Sequence, residues 1–329
     1  MSAAQLQQDG VTQEVSIIVC TLDRQVEVAR AIRSILAQEV DARRYEIVVV
    51  DNHSRDGTRE VIAEIQREAP QVRYVYEDIL GLSTARNTGT RHARAPIVAF
   101  FDDDATAAPG WLATMLKLIQ EHPEAGAAGG PIEVGWPCAK PDWMPKDLQG
   151  YYGACNYGDT KCFLKFPQYP YGSNMFVRRE HLDAIGGFRE EVGAKGQNIM
   201  SGDELDVFQR LAEIGVKVIY EPSALVHHWV PKNRVTREWL LHRAYKHGFS
   251  NTRLAFIQAG ATRGTWMRLL GRAMFQSALA CISGATGTIS RVGTSVVTSR
   301  FARMHYWAGV ARGARDGVVH GTGSAPSLN

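Results

Sequence analysis

Short apolar segments that alternate with segments of helical periodicity constrain the fold of this chain more than any other feature. Between the first and the second of the apolar segments, apolar residues recur at the spacing of an amphipathic helix. The predicted strands are Val15–Cys20, Ile47–Val50, Val72–Tyr76 and Ala95–Phe101. Strands that are apolar throughout and separated by helices form a parallel sheet covered by helices on both faces. The sequence therefore predicts an α/β fold.

Polar clusters follow three of these strands. They are Thr21–Arg24, Asp51–Ser54 and Asp102–Asp104. Ligands of such sheets bind beyond the carboxyl ends of the strands, so we expect the three clusters to border one site. Neither GxGxxG nor GxxxxGK[ST] follows the first strand. A nucleotide at this edge would therefore be held by other groups than a Rossmann or P-loop glycine motif.

The triplet Asp102, Asp103 and Asp104 is the sharpest local signal. Three adjacent carboxylates repel one another, which raises their pKa values unless a cation lies among them. Oxygen ligands suit a hard divalent ion such as Mg²⁺ or Mn²⁺. The alternative is a solvated acidic turn, or a helix N-cap ahead of Pro109–Leu112.

A second acidic group precedes a predicted helix. Asp203, Glu204 and Asp206 occupy the helix start, where the dipole keeps a carboxylate ionised, and capping alone is the competing explanation. The apolar face of this helix is predicted to contain Val207, Leu211 and Ile214.

Two histidines, His227 and His228, come after a predicted strand at Lys217–Tyr220. Single histidines are often structural. With an acidic metal site elsewhere in the chain, a ligand role is the alternative.

Six segments together resemble family 2 glycosyltransferases, and they occur in the order typical of that family. They are VSIIVCTLDR, IVVVDNHSRDGT, GLSTARNTG, IVAFFDDDA, YGSNMFVRREHLDAIGGF and SGDELDVFQRLAEIGVKVIYEPSALVHH. The resemblance covers about Val15 to Ser250 and is closest to the bacterial branch that makes cell-surface polysaccharide or glycolipid. It implies a GT-A fold, which is Rossmann-like with a mixed, mostly parallel sheet, followed here by a basic, mainly helical C-terminal region.

The resemblance also implies roles for individual residues. The nucleotide-binding residues would be Thr21, Asp23, Asp51, Arg86, Asp102 and Asp103. A Mn²⁺ or Mg²⁺ ion would be held by Asp104, Asp102 and His228, with Asp104 favoured for direct contact and Asp102 nearer the ribose. Gly172, Ser173 and Asn174 would form a loop beside the donor sugar and the acceptor.

The base motif departs from the family pattern. Many relatives read Gly-Glu-Asp where this chain reads Gly202-Asp203-Glu204. When the two motifs are matched position by position, Glu204 stands at the position of the base. Asp203 is only one residue earlier. Glu204 is favoured, and either residue remains a candidate.

The activity implied by the resemblance is inverting sugar transfer by single displacement, with a divalent metal and a carboxylate base. The donor would be a nucleoside diphosphate sugar, a UDP-sugar being favoured. The acceptor would be a hydroxyl of a glycolipid or polysaccharide. The alternatives are a nucleotidyltransferase that uses an NTP and a sugar phosphate, and a non-catalytic polysaccharide-binding scaffold.

Charge is divided unequally along the chain. From Lys232 to Asn329 there are 14 of the 37 Lys and Arg residues but only two acids, so the remainder is acidic although the chain is +3 overall. A basic region with aromatic residues, including Trp266–Phe275 and Phe301–Val310, predicts peripheral contact with an anionic membrane. A basic packing domain or a homo-oligomer contact is the alternative, and no motif indicates nucleic acid binding.

The expected location is the cytoplasm, at the inner face of the plasma membrane, because the N-terminus resembles no signal peptide and the cysteines lack CxxC spacing. The expected organisation is a flexible N-terminus at 1–14, a GT-A catalytic domain at 15–231, a basic helical region at 232–318 and a disordered tail at 319–329.

Overall fold

The computed structural model describes residues 13–196, 200–259 and 294–320, together with the single positions 267 and 271. Within this part the chain forms two compact units. The first comprises residues up to Gly135, Gly153–Glu191 and Asp203–Trp229, and the second Trp136–Tyr152, Val192–Gly202 and the residues from Val230 onward. The predicted domain boundaries stay a prediction. The second unit also takes in two segments that interrupt the first.

The first unit is built from eleven strands and six α-helices, counted over the described residues. The strands are β1 (Val15–Thr21), β2 (Tyr45–Asp51), β3 (Val72–Tyr76), β4 (Ile97–Asp102), β5 (Ala105–Ala107), β6 (Ala125–Gly129), β7 (Ile132–Gly135), β8 (Cys162–Leu164), β9 (Met175–Arg178), β10 (Lys217–Tyr220) and β11 (Val226–Trp229). The helices are α1 (Gln25–Leu36), α2 (Thr58–Glu68), α3 (Leu82–His92), α4 (Trp111–Glu121), α5 (Arg179–Ala184) and α6 (Asp203–Glu213).

Eight strands form one mixed sheet in the order β3-β2-β1-β4-β9-β6-β10-β8. The strands β3, β2, β1 and β4 are mutually parallel, whereas β9 runs antiparallel to both of its neighbours, β4 and β6. β10 continues parallel to β6, and β8 closes the edge antiparallel to β10. The prediction of a mixed, mostly parallel sheet is confirmed.

The central strands β1, β2 and β4 are buried along almost their whole length because apolar residues occupy both faces. One face packs on Ile32, Trp111 and their neighbours, and the other on Phe188, Val207 and Leu211. β4 begins at Ile97 instead of the predicted Ala95, since Pro96 has no N–H to donate to a sheet.

The predicted apolar face of α6 is wrong at its last position. Val207 and Leu211 are buried, but Ile214 is 53% exposed. The helix ends at Glu213, and Gly215, with a φ of +79°, turns the chain toward β10. Ile214 therefore lies beyond the last helical turn.

A second sheet of three strands, in the order β5-β11-β7, forms beside the end of β4. β11 pairs antiparallel with β5, so that His228 lies opposite Ala105, and parallel with β7. The backbone N–H of Trp229 donates to the Asp104 carbonyl at 2.8 Å. This small sheet brings His228 to the acidic triplet.

The second unit contains two long helices, α7 (Arg237–Ala259) and α8 (Thr294–His320), and a 3₁₀ segment at Lys146–Tyr152. Gly248 of α7 faces the carbonyl of Tyr306, and Gly309 of α8 faces the carbonyl of Tyr245. A Cβ added at either glycine would overlap those oxygens, so the two helices meet backbone to backbone. The predicted basic segment Trp266–Phe275 lies outside the described residues except for positions 267 and 271, as do the tail residues 321–329 and the N-terminal residues 1–12.

Candidate active site

Strand register collects the predicted polar clusters at one edge of the large sheet. In the parallel pairing, Thr21 lies opposite Asp51 and Cys20 lies opposite Asp102. The last residues of three adjacent strands therefore end side by side, where ligands of such sheets bind. Thr21 and Asp51 are both buried there.

The loops that follow β1 and β2 are joined by hydrogen bonds. The N–H of Asp23 donates to Ser54 Oγ at 2.9 Å, and the N–H of Arg55 donates to Asp23 Oδ1 at 2.6 Å. A third bond runs from the Gln25 N–H to Asp56 Oδ2 at 3.1 Å. Asp23 has a φ of +53°, a left-handed conformation that these bonds stabilise. These bonds hold the two loops together.

The Asp51 carboxylate accepts hydrogen bonds from two other groups of the protein. Its Oδ1 accepts from the Ser54 N–H at 2.9 Å, and its Oδ2 accepts from the Tyr74 hydroxyl at 2.8 Å. Burial and the Asp51 carboxylate raise the pKa of Tyr74 above its ordinary value, so the phenol stays protonated and continues to donate. Any contact that Asp51 makes to a nucleobase would use the lone pairs that remain.

The acidic triplet divides into one accessible and two buried carboxylates. The side chain of Asp102 is 33% exposed, whereas those of Asp103 and Asp104 are 8% and 9% exposed. Arg24 Nη1 lies 2.6 Å from Asp103 Oδ1 and 2.7 Å from Asp104 Oδ2. Burial raises the pKa of Asp103 to about 7, against the opposing effect of Arg24. Arg24 is the cation that the triplet requires.

Asp102, Asp104 and His228 form a group that could hold a metal ion. Each offers one ligand atom, and these atoms lie within 4.8 Å of one another. His228 Nε2 is 3.0 Å from Asp104 Oδ1. Two carboxylates and an imidazole are a donor set that fits Mn²⁺, and also Mg²⁺ where other ligands are oxygen. The set matches the three residues predicted for the metal.

A second cluster surrounds Arg86, which lies on α3. Its side chain is only 3% exposed, and its Nη1 is 2.5 Å from Asp203 Oδ2 and 3.2 Å from Glu204 Oε1. Its Nη2 is 3.5 Å from Asp102 Oδ1. The guanidinium carbon also lies 5.9 Å and 5.4 Å from the ring centroids of Phe100 and Phe188. Arg86 is thus paired with carboxylates of both acidic clusters, and its position near the nucleotide stays a prediction.

The two carboxylates beside Arg86 have different proton affinities. Burial and the charge of Glu204 raise the pKa of Asp203 to about 8. For Glu204, burial acts in the same direction but is outweighed by the charge of Arg86 and the hydrogen bond from Asp203, which hold the pKa below its ordinary value. The pair therefore retains one proton near neutral pH, and the two opposite pKa directions favour Asp203 over Glu204 as its site.

Gly172 allows a loop to approach this cluster. A Cβ added at Gly172 would overlap Arg86 Nη2 and Glu204 Oε1, so no larger residue fits unless those groups move. The next residue, Ser173, donates from Oγ to Asp102 Oδ2 at 2.6 Å. The loop thus links the carboxylate of the metal group to the carboxylates at the start of α6.

Comparison with known proteins identifies the family. The model described as Glycosyl transferase family 2 matches residues 16–186, which is more than half of the chain. The chain belongs to glycosyltransferase family 2. As a member of that family it is a glycosyltransferase, and the predicted family resemblance is confirmed.

Two curated relatives align over most of the chain. Glucosyl-dolichyl phosphate glucuronosyltransferase of Haloferax volcanii is 28% identical over 264 residues, which cover 78% of this chain and 82% of that protein. Succinoglycan biosynthesis protein ExoM of Rhizobium meliloti is 28% identical over 259 residues, 78% of this chain and 79% of that protein.

The fold is that of a solved glycosyltransferase. The mannosyltransferase PcManGT from Pyrobaculum calidifontis, in complex with GDP-Man and Mn²⁺, superposes with a TM-score of 0.59 at 20% identity. The match covers 94% of this chain and 88% of that chain. The predicted GT-A fold is confirmed.

Among the helices of the described residues, none is long and apolar enough to cross a membrane.

Asn174 differs from the other predicted site residues of this glycosyltransferase. Its side chain is fully buried, and Oδ1 accepts from Trp111 Nε1 at 2.9 Å. Nδ2 donates to the carbonyls of Pro131 and Ala224 at 3.0 and 2.8 Å. The structure thus places this amide in the protein interior, where it joins three chain segments. The position of the Gly172–Asn174 loop beside the donor sugar stays a prediction. Asp103 likewise faces Arg24, so its side chain serves the acidic triplet.

Two residues with a direct effect on the site had no predicted role. Arg24 lies in the first polar cluster, but its pairing with acids about eighty positions later depends on the tertiary fold. Tyr74 lies in the middle of β3, where an aromatic residue reads as a strand former. For Arg24, the sequence held one signal: the negative charge of the acidic triplet indicates that a cation lies close to it.

Proposed function

We propose that this glycosyltransferase transfers a sugar from a nucleoside diphosphate donor to an acceptor hydroxyl with inversion. The observation that carries the proposal is the pairing of two acidic clusters at one strand edge. One offers a ligand set for a divalent cation, and the other combines an ionised with a protonated carboxylate. A single displacement needs these two functions and no enzyme nucleophile.

The relatives suggest the class of donor and acceptor to test first. One relative is named for a dolichyl phosphate substrate and another for succinoglycan biosynthesis, which supports a lipid-linked or polysaccharide acceptor. The structural neighbour binds GDP-Man and Mn²⁺, which supports a nucleotide sugar with a divalent ion. A UDP-sugar remains the favoured donor from the sequence, and GDP-sugars belong in the same screen.

Asp102, Asp104 and His228 would hold the Mn²⁺ or Mg²⁺ ion. Bound there, the ion would supply Lewis-acid stabilisation of the negative charge on the departing nucleoside diphosphate. The Ser173 hydroxyl orients Asp102 for this role, and Arg24 holds Asp104 from the opposite oxygen. Thr21, Asp23 and Asp51 line the neighbouring strand ends, where the nucleoside would lie.

Glu204 is the proposed base. The acceptor hydroxyl oxygen attacks the anomeric carbon as the bond from that carbon to the diphosphate oxygen breaks. Glu204 takes the hydroxyl proton. Arg86 keeps this carboxylate ionised, and protonated Asp203 can donate a hydrogen bond to it. A carboxylate kept ionised by one fixed cation is ready to accept a proton without first losing one.

The isosteric pair Glu204→Gln and Asp203→Asn tests this assignment. Glu204→Gln should lower kcat by about 10²- to 10⁴-fold, the range that general bases contribute. Asp203→Asn should cost less than about tenfold, because the amide mimics a protonated carboxyl that does not itself take the proton. Turnover is measured by release of nucleoside diphosphate from UDP-, GDP- and dTDP-sugars with Mn²⁺ or Mg²⁺ and a polyprenyl-phosphate-linked acceptor.

Three results would contradict the proposal. Full activity of the Glu204→Gln variant would exclude Glu204 as the base. An anomeric product that keeps the donor configuration would exclude single displacement. Use of an NTP with release of pyrophosphate would favour the nucleotidyltransferase alternative. Thermal unfolding of each variant provides the folding control.

The basic C-terminal region is proposed to contact the anionic face of the membrane, on the cytoplasmic side. Phe301, Arg303, Arg312 and Arg315 are exposed on α8. Exposed arginines near such a surface contribute about 1 kcal/mol each, so Arg312→Gln with Arg315→Gln should weaken binding about tenfold or more. Co-sedimentation with phosphatidylcholine vesicles, with and without phosphatidylglycerol, measures this. Arg43→Gln is the control, and equal binding to both vesicle types would refute the contact.

A further inference from the structure

Two tyrosines lie on the loop that leads to the carboxylates at the start of α6. Tyr169 and Tyr171 come just before Gly172, the residue at which an added Cβ would overlap Glu204 Oε1. Both tyrosines are partly exposed. All of these residues belong to the first unit. The loop therefore carries two aromatic rings to the neighbourhood of the proposed base.

Ring contacts place Tyr169 on the same side of α6 as Glu204. Phe208 follows Glu204 by four positions in this helix, so the two side chains project from the same face. Tyr169 stacks on Phe208 with a centroid distance of 5.7 Å and an interplanar angle of 23°. Tyr171 packs against Tyr169 with a centroid distance of 5.5 Å. Tyr169, Tyr171 and Phe208 thus form an aromatic row beside the carboxylate.

The electrostatics of the two phenols agree with this proximity. Burial raises the pKa of both Tyr169 and Tyr171, and the negative charge of Glu204 adds to the shift in each case. Such an effect requires a charge close to the titrating group, so both phenols lie near the carboxylate. Both hydroxyls also stay protonated at neutral pH and can donate a hydrogen bond.

The loop is held by backbone bonds and not by these two hydroxyls. The N–H of Tyr169 donates to the Tyr157 hydroxyl at 3.1 Å, and that hydroxyl donates to the Tyr169 carbonyl at 2.9 Å. Within the described part of the chain, no hydrogen bond involves the hydroxyl of Tyr169 or Tyr171. Each hydroxyl is therefore available to a bound molecule.

The chemistry of the aromatic row fits a sugar ring. A hexopyranose presents C–H groups with a small positive charge on its face, and these suit the negative face of an aromatic ring. It presents hydroxyls at its edge, which can exchange hydrogen bonds with phenols. A bare isoprenoid chain would cover the same rings but would leave both phenol hydroxyls without a partner.

The carboxylate beside the aromatic row disfavours an anionic acceptor. A phosphate monoester is largely ionised at neutral pH, so it needs no base, and Glu204 would repel it. A sugar hydroxyl carries no charge and has to lose its proton during transfer. Glu204 and the aromatic row are therefore suited to the same kind of molecule, a neutral saccharide hydroxyl on a stacked ring.

We infer that Tyr169 and Tyr171 bind the sugar ring whose hydroxyl is glycosylated. The inference rests on the proposed function, since it assigns the acceptor side of the same site. The acceptor is then a saccharide, and a polyprenyl phosphate that carries no sugar does not serve. Because stacking fixes the plane of the sugar, the two tyrosines also select the hydroxyl that reaches Glu204.

Binding of simple sugars tests the inference without turnover. Saturation-transfer NMR is recorded on the full chain with the methyl glycosides of glucose, galactose, mannose and N-acetylglucosamine, and with geraniol as an isoprenoid probe. The variants are Tyr169→Leu, Tyr171→Leu and Tyr171→Phe. The control is Phe163→Leu, an exposed ring of the first unit. Phe163 packs on Lys217, which begins β10 and so lies away from the strand ends of the site.

At least one methyl glycoside should receive saturation from the wild-type chain, most strongly at its ring C–H protons. Each leucine variant should weaken its binding about tenfold, because an aromatic face that the sugar covers is lost. Tyr171→Phe keeps the ring and should lose less than about fivefold. Phe163→Leu should bind like wild type. In turnover assays the leucine variants should raise acceptor KM about tenfold and leave donor KM within about twofold.

The binding arm and the turnover arm separate the inference from the proposed function. Absence of saturation from every glycoside in wild type overturns the inference, and so does equal binding by wild type and both leucine variants. Tyrosine-dependent binding of geraniol alone, or efficient transfer to polyprenyl phosphate without a sugar, also overturns it. If wild type releases no nucleoside diphosphate from any donor, the proposed function fails, and the NMR result still decides whether the tyrosines bind sugar. Thermal unfolding and donor KM report whether each variant is folded.

Discussion

The two carboxylate clusters of the site are built on the same plan but differ in the exposure of their arginine. Arg24 pairs with Asp103 and Asp104 and is 31% exposed, whereas Arg86 pairs with Asp203 and Glu204 and is 3% exposed. Both clusters contain buried acids, because Asp103 and Asp104 are 8% and 9% exposed and Asp203 is 4% exposed. Water reaches Arg24 itself but not Arg86, so the first arginine can move toward solvent and the second cannot.

The largest test of this difference removes each arginine in turn. Arg86→Met should lower the free energy of unfolding by about 3–5 kcal/mol, because it leaves buried acids without a counter-charge. Arg24→Met should cost less, about 1–3 kcal/mol, since water reaches this arginine although its acids are buried. Urea unfolding at neutral pH measures both. Equal losses in the two variants would remove the proposed distinction between the clusters.

The second prediction concerns the pH dependence that the buried cluster imposes. The pKa of Asp203 is raised to about 8 in the folded protein, so the folded state holds its proton more tightly than the unfolded state. The stability gained in acid is therefore lost as the pH rises from about 4 to about 8. Asp203→Asn stays neutral throughout. It should reduce the stability difference between pH 5 and pH 8 by on the order of 2 kcal/mol.

Urea unfolding of wild type and Asp203→Asn at both pH values checks this expectation. Asp103, whose pKa is raised to about 7, contributes a slope of the same sign that both proteins share. A variant that loses as much stability as wild type would show that Asp203 does not hold the proton.

The smallest predicted effect is on metal affinity at the cluster around Arg24. Arg24→Gln removes a positive charge next to Asp104, so Mn²⁺ should bind about tenfold more tightly, equivalent to about 1.4 kcal/mol. Isothermal titration with Mn²⁺ alone measures the affinity without requiring turnover. The control is Arg43→Gln, which removes an exposed arginine from the loop before β2. Weaker binding by Arg24→Gln would mean that Arg24 chiefly holds Asp104 in place.

Local sequence patterns predicted β1 to β4 and β10 but not the other strands. These five are rich in β-branched and aromatic residues, so their strand character is local. β6 has the sequence AGAAG, which lacks β-branched residues, and it is a strand because β9 and β10 pair with it on either side. The three-stranded sheet that carries His228 also depends on pairing between distant short segments.

The candidate site shows the same limit. The positions of Asp102, Asp104 and His228 followed from strand ends and family motifs, and the structure brings these three together. The partners that set the protonation and orientation of the acids are Arg24, Arg86 and Ser173, and these contacts join residues from 16 to 118 positions apart. Residue type alone does not predict which carboxylate an arginine pairs with.

The backbone contact between α7 and α8 has a consequence for constructing hybrids of this enzyme with its relatives. At Gly248 and Gly309 the space beside each Cα is filled by a carbonyl of the facing helix. A relative with alanine at one of these sites must keep its helices farther apart, which would change the separation along their whole crossing. Exchanging α8 alone would thus fail where exchanging both helices succeeds. The two helices would therefore have to be exchanged together.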